Sequence, residues 1–517
     1  MKTLELKQWT HRAGIGRWSA ILLFAAGMQN LVLPPLQAAT PKKDITDKGI
    51  TSAVETELLI EKGVPLDLID ASTSQGIVTL SGSVDNLLAK ERALKIAESI
   101  RGVRGVVDRI TVTPVSRPDA DIRKDILAVL LGDPATESYQ VAVSVQDAVA
   151  TLTGSVGSYA EKQLAARIAK GIKGVKEVRN DVTVSYLAKR TDPEIASDIK
   201  ARLQWDIWIN GGLVNPVVEN GKVMLTGTIG SGISKWRAFE DAWVNGVTAV
   251  DDSGLKIEPL ARKGAQRAFK DVISSDSEIK QAVQAALRLD PRVSAFSPGV
   301  IVEGGVVILG GNVGNLKAKT SAEQDAKNIM GVWQVDNLLK VRPKGRRTDA
   351  EMEKQLKAAL SWDPLLNSSA IDAAVINRTA YLSGAVESNF EKAEAQDVAS
   401  RIKGVMLVRN HLKVEPEFSI FYYDWPYYSH SPYYDAEIFG PRPYLNDTQI
   451  KKNIEDWFFW SPFVDRDDIK VTVHGGVATL TGTVGTWIGY GEADQGAHQS
   501  GATAVLNRVT VKKGHWW

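Results

Sequence analysis

One short phrase recurs six times in this 517-residue chain, with fixed spacings around it. It reads Val-Thr-Leu-Ser-Gly-Ser-Val around Gly82 and Ala-Thr-Leu-Thr-Gly-Ser-Val around Gly154, and it returns around Gly227, Gly311, Gly384 and Gly482. Thirty-two residues before each of these glycines stands Ile50, Ile122, Ile195, Ile279, Met352 or Ile450. Three residues before each of those is an aspartate: Asp47, Asp119, Asp192, Asp276, Asp349 and Asp447. Nineteen or twenty residues after the phrase glycine comes a second glycine, at Gly102, Gly174, Gly246, Gly331, Gly404 and Gly501. Six residues further on stands Asp or Asn: Asp108, Asn180, Asp252, Asn337, Asn410 and Asn507. A period held this strictly marks a repeat architecture, so the chain reads as one unit built six times and not as one large core.

Each mark has a local physical reading. The aspartate reads as an N-cap or first-turn acid, which accepts orphan N–H groups and complements the helix dipole. Apolar residues follow at i, i+4 and i+8, as in Ile122/Ile126/Leu130 and Ile450/Ile454/Phe458. That is one narrow apolar stripe on a first helix of about three turns. Burying three such side chains contributes very roughly 5–9 kcal/mol before entropy is subtracted. Two strands come next. Ile469-Lys-Val-Thr-Val473 alternates apolar and polar, and His474-Gly475-Gly476, Asn220-Gly221 and Gly304-Gly305 are turn sequences of the hairpin kind. The phrase glycine is expected to close the second strand and open a second helix. That helix carries alanine at its central buried position in all six copies (Ala97, Ala169, Ala242, Ala326, Ala399, Ala497), which lets it lie close to a sheet. The second glycine caps it, and a last strand such as Val178–Val184 ends the unit. The expected fold class is α+β: a tandem array of six small αββαβ domains, each a three-stranded mixed sheet with two helices on one face.

This order of marks resembles the BON domain, a bacterial family named for an osmotic-shock protein and nodulation proteins. The resemblance rests on the aliphatic-glycine phrase, the Gly-Val about twenty residues later and the final Val-x-Asn-x-Val-x-Val strand, and it covers nearly all of residues 46–512. It places copies at 46–113, 119–185, 192–258, 275–342, 349–415 and 447–512. Copy six is divergent: Gly496 and Ser500 stand where the others have apolar helix residues, which puts its core in doubt. The resemblance implies export to the cell envelope, contact with phospholipid or other envelope components, and no enzymatic activity. Family members commonly carry one to three copies, so six suggests a long array.

Outside the copies, residues 1–39 read as a signal peptide. Lys2, Lys7, Arg12 and Arg17 precede a short apolar run, Trp18–Met28, and small residues at Ala38-Ala39 offer a cleavage site. The run is shorter than the roughly 20 residues that span a bilayer. Cleavage would leave 58 basic and 60 acidic side chains, a net charge of −2. A chain with that balance is poorly suited to neutralising phosphates, so nucleic acid is not an expected partner. With no cysteine, disulfides, thiolate catalysis and cysteine-ligated zinc are excluded, and export suits a periplasm or cell surface. The stretch 259–273 is a basic linker carrying Arg262, Lys263, Arg267 and Lys270, and 340–347 reads KVRPKGRR. Both are solvated connections or, alternatively, patches for an anionic membrane surface. The stretch 416–446 is an aromatic insert containing Trp425, Tyr427, Tyr428, Tyr433 and Tyr434, broken by prolines. Its rings either pack on copy six, face a protein or glycan partner, or touch membrane directly.

No reactive constellation accompanies these features. The six histidines show no i, i+3 or i+4 pairing, and no nucleophile elbow or Walker phosphate loop is present. No cofactor and no metal are expected, and the phrase glycines are expected to be structural. The expected function is non-enzymatic: an exported protein binding phospholipid or an envelope protein and supporting envelope integrity or stress tolerance. The alternative is a structural scaffold or adhesin that docks a partner through the aromatic insert.

Overall fold

The computed structural model describes residues 45–60, 68–137, 139–186, 188–209, 213–258, 275–343, 345–415 and 445–512. The signal peptide, the basic linker and the insert residues Trp425, Tyr427, Tyr428, Tyr433 and Tyr434 lie outside the described residues.

Repeat 2 shows the unit. A first helix, Asp119–Gly132, leads into two strands, Gln140–Gln146 and Val149–Val156, then a second helix, Tyr159–Lys170, and a last strand, Glu177–Val184. The first two strands pair antiparallel and the last pairs parallel to the second, which is therefore central. All six repeats follow this order. Repeats 4 and 5 break the last strand in two, and repeat 3 has a register shift between Met224 and Thr226. Each repeat has its own core, not a share of a merged one. The i, i+4, i+8 stripe is buried in every copy, and the central alanine is fully buried in all six. Sheet residues facing away from the helices are the exposed ones. No helix among the described residues is long and apolar enough to cross a membrane.

The recurring aspartate sits in the first turn, one residue after the cap. Ser275, Thr348 and Asn446 cap their helices, each forming a capping box. The aspartate carboxylate instead reaches across to the tip of the hairpin and accepts two successive backbone N–H groups. Asp192 takes those of Asn220 (2.7 Å) and Gly221 (2.9 Å). Asp47 takes those of Gln75 and Gly76, and Asp119 those of Asp147 and Ala148. Asp276 holds Gly304 and Gly305, Asp349 holds Asn377 and Arg378, and Asp447 holds Gly475 and Gly476. A turn with both central residues at positive φ, as at Asn220 (51°) and Gly221 (73°), points its two amides the same way and so fits one carboxylate. The same bonds hold the Asp447 carboxyl below its ordinary pKa.

The phrase glycine does not end its strand in five copies, contrary to expectation, and in repeat 4 the strand breaks at Gly311 and resumes over Asn312–Val313. In repeat 1 the strand runs two residues past Gly82 to Val84, and the helix begins at Leu87. The cap is the residue four after the glycine (Asn86, Ser158, Ser231, Asn315, Ser388 or Thr486), whose side chain accepts an N–H of the first turn. The glycine is required because φ lies between 110° and 137° in all six. In five copies a β-carbon there would also run into a backbone carbonyl oxygen of the neighbouring strand's approach, at Leu68, Gln140, Leu213, Ala370 or Asp468. The second glycine also has positive φ and lies over the residue that starts the apolar stripe, as Gly174 does over Ile122. The recurring Asn ties the second helix to the last strand: Asn180, Asn337 and Asn410 donate to the carbonyls of Lys162, Lys319 and Lys392 at 2.8–2.9 Å. In repeat 1 the residue is Asp108, which pairs with the Lys90 ammonium at 2.9 Å.

Two outcomes are expected. Gly154→Ala lowers stability by about 1–3 kcal/mol or more, whereas Gly105→Ala, which meets nothing within 4 Å, is near neutral; urea unfolding compares them. Asp192→Ala selectively removes hydrogen-exchange protection from the Asn220 and Gly221 amides, and Asp192→Asn retains part of it.

Candidate functional site

The residues that recur six times are thus occupied in holding each unit together. What differs between copies lies where copies meet. One bond recurs at three such places: the N–H just before the second glycine of one repeat donates to the carbonyl of a tryptophan ending another repeat's first helix. Arg101 donates to Trp460 (3.0 Å), Lys173 to Trp362 (3.0 Å) and Met330 to Trp205 (2.9 Å). Repeat 1 is thereby paired with 6, 2 with 5, and 3 with 4, a nested order. The three acceptor repeats have tryptophan at that helix end; the three donor repeats have Ile60, Gly132 and Leu289 there. The residue after each of Trp205, Trp362 and Trp460 is buried and polar, namely Asp206, Asp363 and Ser461. It accepts the N–H two residues on, which turns the chain away from the helix.

The seams differ in chemistry. Between repeats 1 and 6, Trp457 Nε1 donates to Glu57 (3.0 Å), Arg101 donates to the Ser461 carbonyl (2.9 Å), and Trp460 packs against the core of repeat 1. Trp457 also occupies the space beside Gly496, where a β-carbon would collide with its ring. Repeat 6 therefore keeps a complete core, and the doubt raised by Gly496 is answered by the ring opposite it. Between repeats 2 and 5, Trp362 packs against the core of repeat 2, and Lys173 Nζ reaches the Leu366 carbonyl at 3.3 Å. Second helices also meet through Lys170–Glu91, Lys317–Asp397, the stacked Tyr159–Trp243 rings (3.8 Å apart) and Arg92 over the Phe390 ring at 3.6 Å.

The seam of repeats 3 and 4 is charged. Where repeats 1, 2 and 5 place Ile96, Ile168 and Val398 just before the central alanine, repeats 3 and 4 place Asp241 and Asp325. A cavity of about 950 Å³ opens here, bounded also by repeat 2. Arg202 pairs with Asp241 at 2.9 Å and Arg237 with Asp206 at 2.6 Å. Arg292 grips Asp133 of repeat 2 through both oxygens, at 3.0 and 3.2 Å. Burial, then the neighbouring Asp241, push the Asp206 carboxyl up against the pull of Arg237. Burial and Asp290 raise Asp325 strongly. Both shifts reflect buried carboxyls placed beside other acids. The arrangement can hold polar or charged groups and exchange protons. Among the described residues no group of His, Asp and Glu is disposed to hold a metal ion. His474, in the last hairpin strand, is exposed. In the basic 340–347 stretch Arg347 is held by Gln355, a structural link.

Sequence reasoning missed the tryptophans at helix ends and the paired acids Asp241 and Asp325. The available signal was positional: Trp205, Trp362 and Trp460 each stand twenty-two residues before their phrase glycine.

A family model described as "BON domain" matches six segments of the chain, residues 46–114, 118–186, 191–259, 275–343, 348–416 and 446–513. Osmotically-inducible protein Y of Escherichia coli (strain K12) is 34% identical over 143 residues, which span 26% of this chain and 71% of that protein. Two solved structures of CdsD, a structural protein of the type III secretion system of Chlamydia trachomatis, are similar at 17% and 16% identity. They cover 43% and 41% of this chain and 98% and 100% of their own, each with a TM-score of 0.12. A likeness that slight says nothing about architecture or role here.

A double-mutant cycle on Arg292 and Asp133, whose side chains are 13% and 3% exposed, is expected to give a coupling of about 2–4 kcal/mol in thermal or urea unfolding. The same cycle on Lys452 and Asp456, at 74% and 36% exposure, gives about 0–0.5 kcal/mol.

Proposed function

The chain belongs to the BON domain family, with six copies of the domain, and from that premise we propose that it is an exported, non-enzymatic protein that binds phospholipid surfaces of the cell envelope and supports the envelope under osmotic or similar stress. The observation that carries this reading is the set of sheet faces left free by the inward-packed helices. Most are fields of Ser, Thr and charged residues, and most carry from one to three large exposed apolar side chains: Ile77 and Val107, Val217 and Met224, Ile301, Ile376 with Tyr381 and Leu407, and Leu506. Val217 and Met224 are directly cross-strand neighbours. A single such face offers little apolar area, but several faces on one body act by avidity, where modest affinities multiply. The name of the osmotically inducible relative and the signal-peptide pattern of residues 1–39 point the same way. A protein of this kind needs no reactive groups, and the charged cavity serves cohesion.

Flotation with vesicles of phosphatidylethanolamine and phosphatidylglycerol, at low and high salt, tests the reading. Binding is expected, and Val217→Ser, Met224→Ser and Ile301→Ser combined weaken it about tenfold or more. Failure to float with any vesicle composition overturns it. If binding survives the triple change and is lost on deleting residues 418–444, the aromatic insert and not the sheet faces is the contact.

A further inference from the structure

The ion pairs that cross the charged seam of repeats 3 and 4 leave an imbalance behind. Of the basic side chains lining its cavity, Arg190, Arg292 and Lys317 are each taken by a carboxylate, those of Asp198, Asp133 and Asp397. Arg202 pairs with Asp241, and Arg237 with Asp206. Asp290 and Asp325 lie beside one another on the same walls, and among the described residues neither has an ion pair. The two lining arginines that also lack one, Arg167 and Arg288, are exposed.

Two carboxylate oxygens are left over. Oδ2 of Asp241, whose side chain is 3% exposed, and Oδ2 of Asp325 are buried and accept no hydrogen bond. They come from different repeats, and both lie near the one guanidinium of Arg237, which donates to Asp206 instead. A buried acceptor without a donor costs about 1–3 kcal/mol, and more where it carries charge. Donors that compensate it must therefore come from outside the chain.

We infer that the cavity is a binding site for a small organic dication of the aliphatic polyamine class, whose ammonium groups donate to Asp241 and Asp325 and so bridge repeats 3 and 4.

The chemistry of the walls selects this class. An anion would meet guanidinium groups already engaged and carboxyls that repel it. A metal ion needs several ligands converging on one point, and no group of His, Asp and Glu among the described residues is so disposed. The volume of about 950 Å³ is far more than an ion needs and is of the size that small organic ligands occupy. The walls also carry Ala282, Ala286, Leu289 and Ile329 beside Gln163 and Gln284, a lining that suits a methylene chain bearing N–H donors. The upward push that burial and Asp290 exert on Asp325 is what a carboxyl short of a counter-cation experiences.

The test is titration calorimetry of the chain with putrescine and spermidine at neutral pH and physiological salt, with butylamine and Mg2+ as comparisons. One saturable site per chain is expected for the polyamines, with butylamine and Mg2+ about tenfold or more weaker. D325N removes a charge while keeping the shape of the side chain, and is expected to weaken putrescine about tenfold or more. D467N, at an exposed residue of repeat 6 outside the cavity, is expected to leave binding unchanged. In hydrogen exchange, putrescine is expected to slow the Ile207 and Met330 amides, which bond across this seam to Asn328 and Trp205. The Arg101 amide, in the seam of repeats 1 and 6, is expected to stay as it was. No saturable binding, equal binding of butylamine or Mg2+, or unaltered affinity in folded D325N overturns the proposal. So does an equal loss in D467N. If D325N does not fold, the exchange comparison decides alone: equal slowing at Arg101, or none at Ile207 and Met330, overturns it.

Discussion

A single carboxylate gripping two successive backbone amides is the contact on which each unit depends. It joins the start of the first helix to the tip of the hairpin, elements that neighbour neither in sequence nor in backbone hydrogen bonding. Its strength is visible in what it tolerates. Glycine or Asn occupies most of the turn positions, but Ala148 (φ 62°) and Arg378 (φ 62°) hold the same left-handed conformation. Such residues cost about 1 kcal/mol or more there. Charge-assisted bonds, about twice as strong as neutral ones, offset that strain. With helix and hairpin fixed, the remaining marks fall into place: the phrase glycine admits the approaching carbonyl, the second glycine passes over the stripe's first residue, and the Asn closes the last strand onto the second helix.

Those parts were legible because they rest on short-range rules repeated six times. Stripe, turns and central alanines need only local periodicity. The aspartate was half legible. Its place in the first turn follows from the helix pattern, but its true partners lie 28 and 29 residues away, beyond any capping rule. Repeat 6 shows a different failure. Gly496 was read as an absent apolar side chain, and Trp457, thirty-nine residues before it, carries no spacing that ties it to that position. They are one complementary contact, and only the packing of the two helices joins them.

Pairing was not legible because it rests on differences between copies, and repetition hides differences. A tryptophan in three of six equivalent positions looks like drift. In three dimensions it sorts the repeats into those whose helix end accepts and those whose glycine corner donates. Domains of this size bury too little surface to be robust alone, so each acceptor tryptophan completes a neighbour: Trp460 the core of repeat 1, Trp362 that of repeat 2, Trp205 that of repeat 4. The acids of the inner seam escaped notice for the same reason. Asp241 and Asp325 stand far apart along the chain, yet both occupy the position that repeats 1, 2 and 5 give to an aliphatic residue.

The nested order also bears on which seam is weakest. Repeats 3 and 4 are consecutive, whereas Arg101 and its acceptor Ser461 are 360 residues apart and Lys173 and Leu366 are 193 apart. Loop-closure entropy grows only logarithmically, so the outermost seam costs about 1 kcal/mol more to close than an inner one. That difference is smaller than one well-buried side chain contributes, so tether length does not rank the seams; their chemistry does. The outer seam is aromatic, the middle one mixes a tryptophan with polar bonds, and the innermost surrounds a cavity with charges whose desolvation offsets most of their attraction. The seam with the shortest tether therefore has the least apolar closure, and water already has room to enter it.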